Sequence, residues 1–228
     1  LAGKTVYPGF IDAYTEPSSG GGEGRGRGGS ARTETSGTPA SKPGANYWNP
    51  NVLPQTRAEA TYQPDKDANK IFRSQGVTAR LLAPTQGIIK GTSAIVTTGD
   101  GDPNQTVLRD KVAMHATLAT RGAWNEEGYP NSPMGAMTLV RQAFYDADWY
   151  RQAWDAYRRD RTLPRPERND ALEALQGFLA GKAPVLIDAG NELYSLRADK
   201  VANELGLNVI VRGSNEEYQR LDLVAATK

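Results

Sequence analysis

The chain is expected to adopt an α/β fold, with a parallel sheet that is covered by helices on both faces or closed into a barrel. Three observations carry that expectation. The last third alternates helix and strand, its strands are continuous apolar runs such as Val185-Leu186-Ile187, and the spacing from Val185 to Val209 fits one helical crossover. At 228 residues the chain is long enough to bury a substantial apolar core without disulfide staples.

In chain order, Pro8-Gly9 marks a turn or abrupt strand entry, and residues 10–14 read as a buried strand. Residues 18–46 hold nine glycines, five serines and two prolines and no Val, Ile, Leu, Met or aromatic residue. Such a segment buries too little apolar area to offset its ordering entropy, so it reads as a flexible insertion, within a span assigned to residues 17–64. The run Gly24-Arg25-Gly26-Arg27-Gly28-Gly29 could be taken for an RNA-binding box, but two arginines without interleaved aromatics are too few. Order is expected to resume at Tyr47-Trp48-Asn49-Pro50. Residues 65–75 read as a helix with Ile71 and Phe72 inward and Gly76 closing it.

Residues 77–83 read as a strand, and 88–98, punctuated by Gly87, Gly91 and Gly99, as a strand or hairpin. Asp100-Gly101-Asp102-Pro103 lacks the further oxygen ligands and closing Glu of a calcium loop, and reads as a surface turn. A helix starts at Ser132 as N-cap with Pro133 in its first turn. Met137, Val140, Phe144, Ala147, Tyr150, Trp154 and Tyr157 recur in steps of three and four, which predicts one core-facing stripe. Helix 169–180, strand 184–189, helix 191–205, strand 208–211 and a helix over 215–226 complete the pattern.

Composition excludes several function classes. There is no cysteine, hence no thiol nucleophile, Cys-based zinc site or iron–sulfur cluster, and His115 is the only histidine, so no His cluster can hold a metal. His115 sits in an ordinary mixed stretch and reads as a structural or surface residue. With 27 Lys+Arg against 26 Asp+Glu, no overall field recruits nucleic acid, and no apolar run approaches the ~20 residues of a membrane span. A soluble bacterial protein, cytoplasmic or exported, is expected. Because the chain starts at Leu1 in the middle of a strand-like motif, it is expected to be part of a longer polypeptide.

The opening motif resembles the amidohydrolase superfamily, whose first strand reads Gly-Lys-x-Val-x-Pro-Gly-x-Ile-Asp-x-His-x-His; Gly3, Lys4, Val6, Pro8, Gly9, Ile11 and Asp12 match it. Ser74-Gln75-Gly76-Val77-Thr78 is similar to the second strand's entry, and Pro184-Val185-Leu186-Ile187-Asp188-Ala189 to a later strand that usually ends His-Ala. Ile89-Lys90-Gly91-Thr92-Ser93-Ala94 and Met134-Gly135-Ala136 resemble an imidazolonepropionase-like bacterial subgroup. The resemblance implies a metal-dependent (β/α)8 barrel that hydrolyses amide or related bonds with zinc or a similar ion. A barrel of that kind takes about 250 residues, so this chain is expected to supply roughly the first half.

The sequence departs from the family at the implied ligand positions. Tyr14 and Glu16 stand where the paired histidines fall, Asp188 where a later histidine falls, and Ser214 where a further ligand falls. A neutral phenol with a pKa near 10 is a poor zinc ligand, whereas Glu16 and Asp188 could bind a hard cation through oxygen or act as a proton-transfer pair, although two carboxylates are common on the polar rim of any barrel. The expectation is therefore a degenerate domain with no catalytic residue and no bound cofactor. It would be structural or assembly-related, and oligomeric with another subunit or with the remainder of a longer chain. The alternative is an active metal-dependent hydrolase of non-peptide carbon–nitrogen bonds whose ligands lie outside this segment. A third reading gives the Gly-rich insertion a partner-binding role.

Overall fold

A computed structural model describes residues 3, 5, 7–16, 46–119 and 129–227. The Arg-Gly run and residues 17–45 lie outside the described residues.

Two four-stranded sheets form, not a closed (β/α)8 barrel. The first has the order β1-β2-β4-β5, from β1 (Phe10–Thr15), β2 (Val77–Leu82), β4 (Ala94–Thr97) and β5 (Val107–Arg109). The second has the order β3-β6-β7-β8, from β3 (Ile89–Thr92), β6 (Met114–Thr117), β7 (Val185–Asp188) and β8 (Val209–Arg212). The departure from an all-parallel barrel has a steric origin. A parallel return needs a crossover of a dozen or more residues, but only Ser93 separates β3 from β4, so the chain passes from one sheet to the other at that point. The 88–98 run is therefore two strands in different sheets, not a hairpin. Antiparallel pairing follows for β2–β4, β4–β5 and β3–β6, and parallel pairing survives for β1–β2, β6–β7 and β7–β8.

Each of the four longer helices starts after a capping side chain, and Ser132 is the cap expected from sequence. α1 (Lys66–Ser74) begins at Asp65, whose carboxylate accepts from the Asp67 and Ala68 amides; α3 (Pro133–Arg159) begins at Ser132, α4 (Asp170–Leu179) at Asn169 and α5 (Glu192–Leu205) at Asn191. A short α2 (Pro103–Thr106) follows the Asp102 turn. Gly206 closes α5 in the left-handed region, at φ 65°. The predicted helix over 215–226 is only a 3-10 turn at Glu217–Arg220 followed by α6 (Leu221–Ala225), with no buried residue.

The core stripe of α3 is as the spacing predicts: Val140, Phe144, Ala147 and Tyr150 are buried, and Met137 and Trp154 pack against them. Trp154 sits edge-on between Tyr150 and Tyr157, with ring centroids 6.2 and 6.0 Å away. With α4 and α5 this stripe covers the face of the second sheet that carries Met114, Ala116, Val185 and Ile187. In α1 the expectation fails for Ile71, which is 60% exposed; Phe72 instead lies under the buried Arg80 guanidinium, 4.4 Å from its ring centre. Tyr47, Val52, Ala58 and Tyr62, from the 17–64 span, are buried, and Val52 and Arg57 bridge to Ile89 and Thr92. Among the described residues, no helix is long and apolar enough to cross a membrane.

Candidate functional site

Strand register builds the site. In a parallel sheet the paired residues of neighbouring strands share a face, and successive residues alternate between faces. The pairs His115↔Leu186↔Ile210 and Thr117↔Asp188↔Arg212 therefore lie on the face of the second sheet opposite the helical core, with the latter row at the strands' carboxyl ends. That end is where α/β folds seat their ligands.

Lys90 reaches the same row through a bulge. Ile89 pairs with Ala116 and Gly91 with His115, so Lys90 is the unpaired extra residue of β3, and bulges of this kind re-aim a side chain. Gly91 permits it: its φ is +110°, and a Cβ there would lie 2.3 Å from the Thr56 carbonyl oxygen. The Lys90 ammonium, 7% exposed, donates to Asp188 Oδ2 at 2.5 Å. Arg212 Nη1 lies 3.1 Å from the other carboxylate oxygen, Oδ1, off the hydrogen-bond direction, so Oδ1 makes an ion pair but no hydrogen bond. One carboxylate is thus flanked by two cations.

From the first sheet, Tyr14 closes over this group. Asp12 fixes the local turn of β1 by accepting from the Tyr14 amide at 3.1 Å and from the Thr15 hydroxyl at 2.6 Å, as expected of a strand-end carboxylate. The Arg212 guanidinium stacks 3.8 Å above the Tyr14 ring centre. His115 lies 5.9 Å from that ring, centroid to centroid. Burial first, and the Asp188 charge second, push the Tyr14 phenol up to about 12 against the opposing pull of Arg212. His115 is fully buried with neither ring nitrogen hydrogen-bonded. Burial lowers its pKa to about 4, with Lys90 and Arg212 acting in the same direction and Asp188 opposing, so the imidazole is neutral near pH 7.

The structure brings together two of the four positions singled out by sequence, Tyr14 and Asp188. Glu16 is exposed just beyond β1. Ser214 belongs to a separate network, donating its amide to Glu217 Oε1 at 2.7 Å, while the Ser195 hydroxyl reaches the same oxygen at 3.4 Å. That backbone donor holds the Glu217 carboxyl below its usual range. Lys90, Arg212 and His115 complete the strand-end group, and sequence reasoning did not select them for it. Asp100, in the turn read as a surface turn, is gripped by both terminal nitrogens of Arg73 at 2.9 Å.

The donor set does not fit a divalent metal. Its one carboxylate, half-buried, is already neutralised, its phenol is protonated and its neighbours are an ammonium and a guanidinium. Among the described residues no group of three or more His, Asp or Glu side chains could hold an ion. Two clefts of about 520 and 600 Å3 run along α3 and α4 and share no residue with this group.

No protein-family model matches the chain, and no curated protein is significantly similar to it. Among solved structures, the crystal structure of an amidohydrolase from Thermotoga maritima is similar, with a TM-score of 0.72 and 18% identity over 93% of this chain. The likeness is one of fold, and this chain spans 53% of that protein.

Proposed function

We propose that this chain is an amidohydrolase-like domain whose metal-ligand histidines have been replaced, and that it serves a structural or assembly role within a larger protein rather than catalysis. The observation that carries this reading is the clamping of Asp188 between Lys90 and Arg212. A dication seated about 4 Å from one such cation would be repelled by about 8 kcal/mol at an effective dielectric constant of ~20. Two such terms, about 16 kcal/mol, cancel what Asp188 alone would contribute at a coordination distance of about 2.1 Å, so nothing is left to hold the ion.

The assembly half of the proposal draws on the sheet edges. Among the described residues β1 and β8 each end a sheet, and Phe10, Ile11, Ile210 and Val211 on them are exposed, a form of edge that favours pairing with another chain. The alternative, an active metal-dependent hydrolase of carbon–nitrogen bonds, draws on the 53% span, since other segments could supply ligands. Metal analysis after zinc supply decides between them. The proposal expects no stoichiometric zinc and no turnover on an amide and lactam panel. Stoichiometric zinc that disappears in Glu16→Gln and Asp188→Asn would overturn it.

A further inference from the structure

Buried polar atoms are nearly always hydrogen-bonded, and an orphan calls for an account, commonly a water, ion or ligand. Four of the orphans belong to one place: Tyr14 Oη, His115 Nδ1, His115 Nε2 and Asp188 Oδ1. Asp188 pairs with Lys90 and Arg212, Arg212 stacks on Tyr14, and both cations act on His115; among Lys90, Arg212 and Asp188 there is an excess of one positive charge. Glu16, the other carboxylate whose charge reaches Tyr14, is exposed and screened by water.

We infer that this strand-end group is a binding site for a small carboxylate-type oxyanion, held by the Arg212 and Lys90 donors, the Tyr14 hydroxyl and the His115 imidazole. The inference deepens the proposed loss of the metal site by naming what the altered site takes. The chemistry matches on three counts. A monoanion cancels the excess charge. Its oxygens accept from the Tyr14 hydroxyl and from whichever His115 nitrogen carries the proton. The Arg212 guanidinium keeps donors beyond its single contact with Asp188, and its planar fork suits a carboxylate. Arg212, with its side chain 45% exposed, is the group's solvent-facing member, while His115 is fully buried. An apolar ligand would leave the two donors among the orphans, the Tyr14 hydroxyl and the protonated His115 nitrogen, unpaired; the other two, Asp188 Oδ1 and the unprotonated His115 nitrogen, are acceptors and take no bond from an anion, and a dication meets the repulsion described above.

The probes are formate and acetate, with chloride at matched ionic strength as control and zinc as a separate arm. Because His115 is the single histidine, its ring nitrogens give one unambiguous pair of NMR signals. Formate or acetate is expected to shift that pair saturably, with a dissociation constant of about 1 mM or tighter, while chloride does not. Arg212→Gln is expected to weaken the binding about tenfold or more, since it removes a charge-assisted donor. Unmoved His115 signals across the formate and acetate titrations would overturn the inference, as would unchanged affinity in Arg212→Gln. If that variant fails to fold, Tyr14→Phe, which deletes one donor and keeps the ring beneath Arg212, is the second variant; unchanged affinity there also counts against the site. Stoichiometric zinc would instead overturn the proposed loss of the metal site, and failure of both arms would leave that reading standing without this one.

Discussion

Replacing Lys90 by methionine tests the charged group most directly, because methionine roughly preserves the stem's volume and removes only the ammonium. The pair is mostly withdrawn from water, with side-chain exposures of 7% for Lys90 and 19% for Asp188 at 2.5 Å separation. Removing one member of a buried pair costs about 3–5 kcal/mol, chiefly because the remaining charge loses its partner in a poorly solvating place. Asp188 keeps Arg212, whose side chain is 45% exposed, and such a partly exposed pair recovers up to about 1 kcal/mol. The net expectation is a loss of about 3 kcal/mol. With a urea m-value of ~3 kcal/mol/M for a chain of this size, the unfolding midpoint falls by about 1 M. The double variant Lys90→Met/Asp188→Leu removes both charges and should regain most of that loss. A shift below about 1 kcal/mol in the single variant, or a double variant as unstable as the single one, would refute the account of Lys90 as a buried counter-ion.

His115 has a folded pKa of about 4 against 6.5 when unfolded, so between those values the unfolded chain takes up a proton that the folded chain refuses. Stability from this group is therefore complete above about pH 6.5 and falls as pH drops toward 4, by up to about 3 kcal/mol; an imidazole seen by NMR to titrate near 6.5 in the anion-free folded protein contradicts this. Gly91→Ala places a Cβ against the Thr56 carbonyl oxygen at positive φ and should cost several kcal/mol, about 3 or more, in urea unfolding. Asn191→Ala removes the side-chain oxygen that accepts from the Tyr194 amide at 3.2 Å and should cost about 1 kcal/mol by the same measurement; no change would deny the cap its role. Ile11→Lys/Ile210→Lys blunts both exposed sheet edges and should lower the mass seen by analytical ultracentrifugation if the edges mediate assembly.

Local signals were the legible ones. Ser132, Asn169 and Asn191 each precede a helix they cap, and the three-and-four spacing from Met137 to Trp154 faces the core, because capping and periodicity act within one or two turns. Strands β7 and β8 were legible as apolar runs on either side of a single helix. The sheet division was not, since it depends on how a chain with one residue between β3 and β4 distributes its pairings. The exposure of Ile71 was hidden for a similar reason: α1 is short, and Phe72 beside it pairs with Arg80 from the adjoining strand.

The site was half legible. The resemblance pointed to Tyr14 and Asp188, but the partners of Asp188 come from 98 residues earlier in the sequence and from the next parallel strand. One signal was present: Val185-Leu186-Ile187-Asp188 and Val209-Ile210-Val211-Arg212 are the same pattern, three apolar residues and then a charge, with opposite signs. A single crossover places equal offsets side by side, so that ion pair follows from register. Lys90, the one charged residue of the 88–96 run and next to Gly91, was the corresponding sign of a bulge.

A buried ion pair is weak support for stability, because a well-packed apolar pair of similar volume often does as well or better. The presence of three charges on this face therefore calls for a role that apolar residues could not fill, and Arg212 separates the two possibilities. Under either reading Arg212→Gln should lower stability by no more than about 1 kcal/mol, because its side chain is 45% exposed. If the group holds an oxyanion, the response of the His115 signals to formate weakens or disappears in that variant. Loss of stability without loss of that response would assign these charges to packing alone.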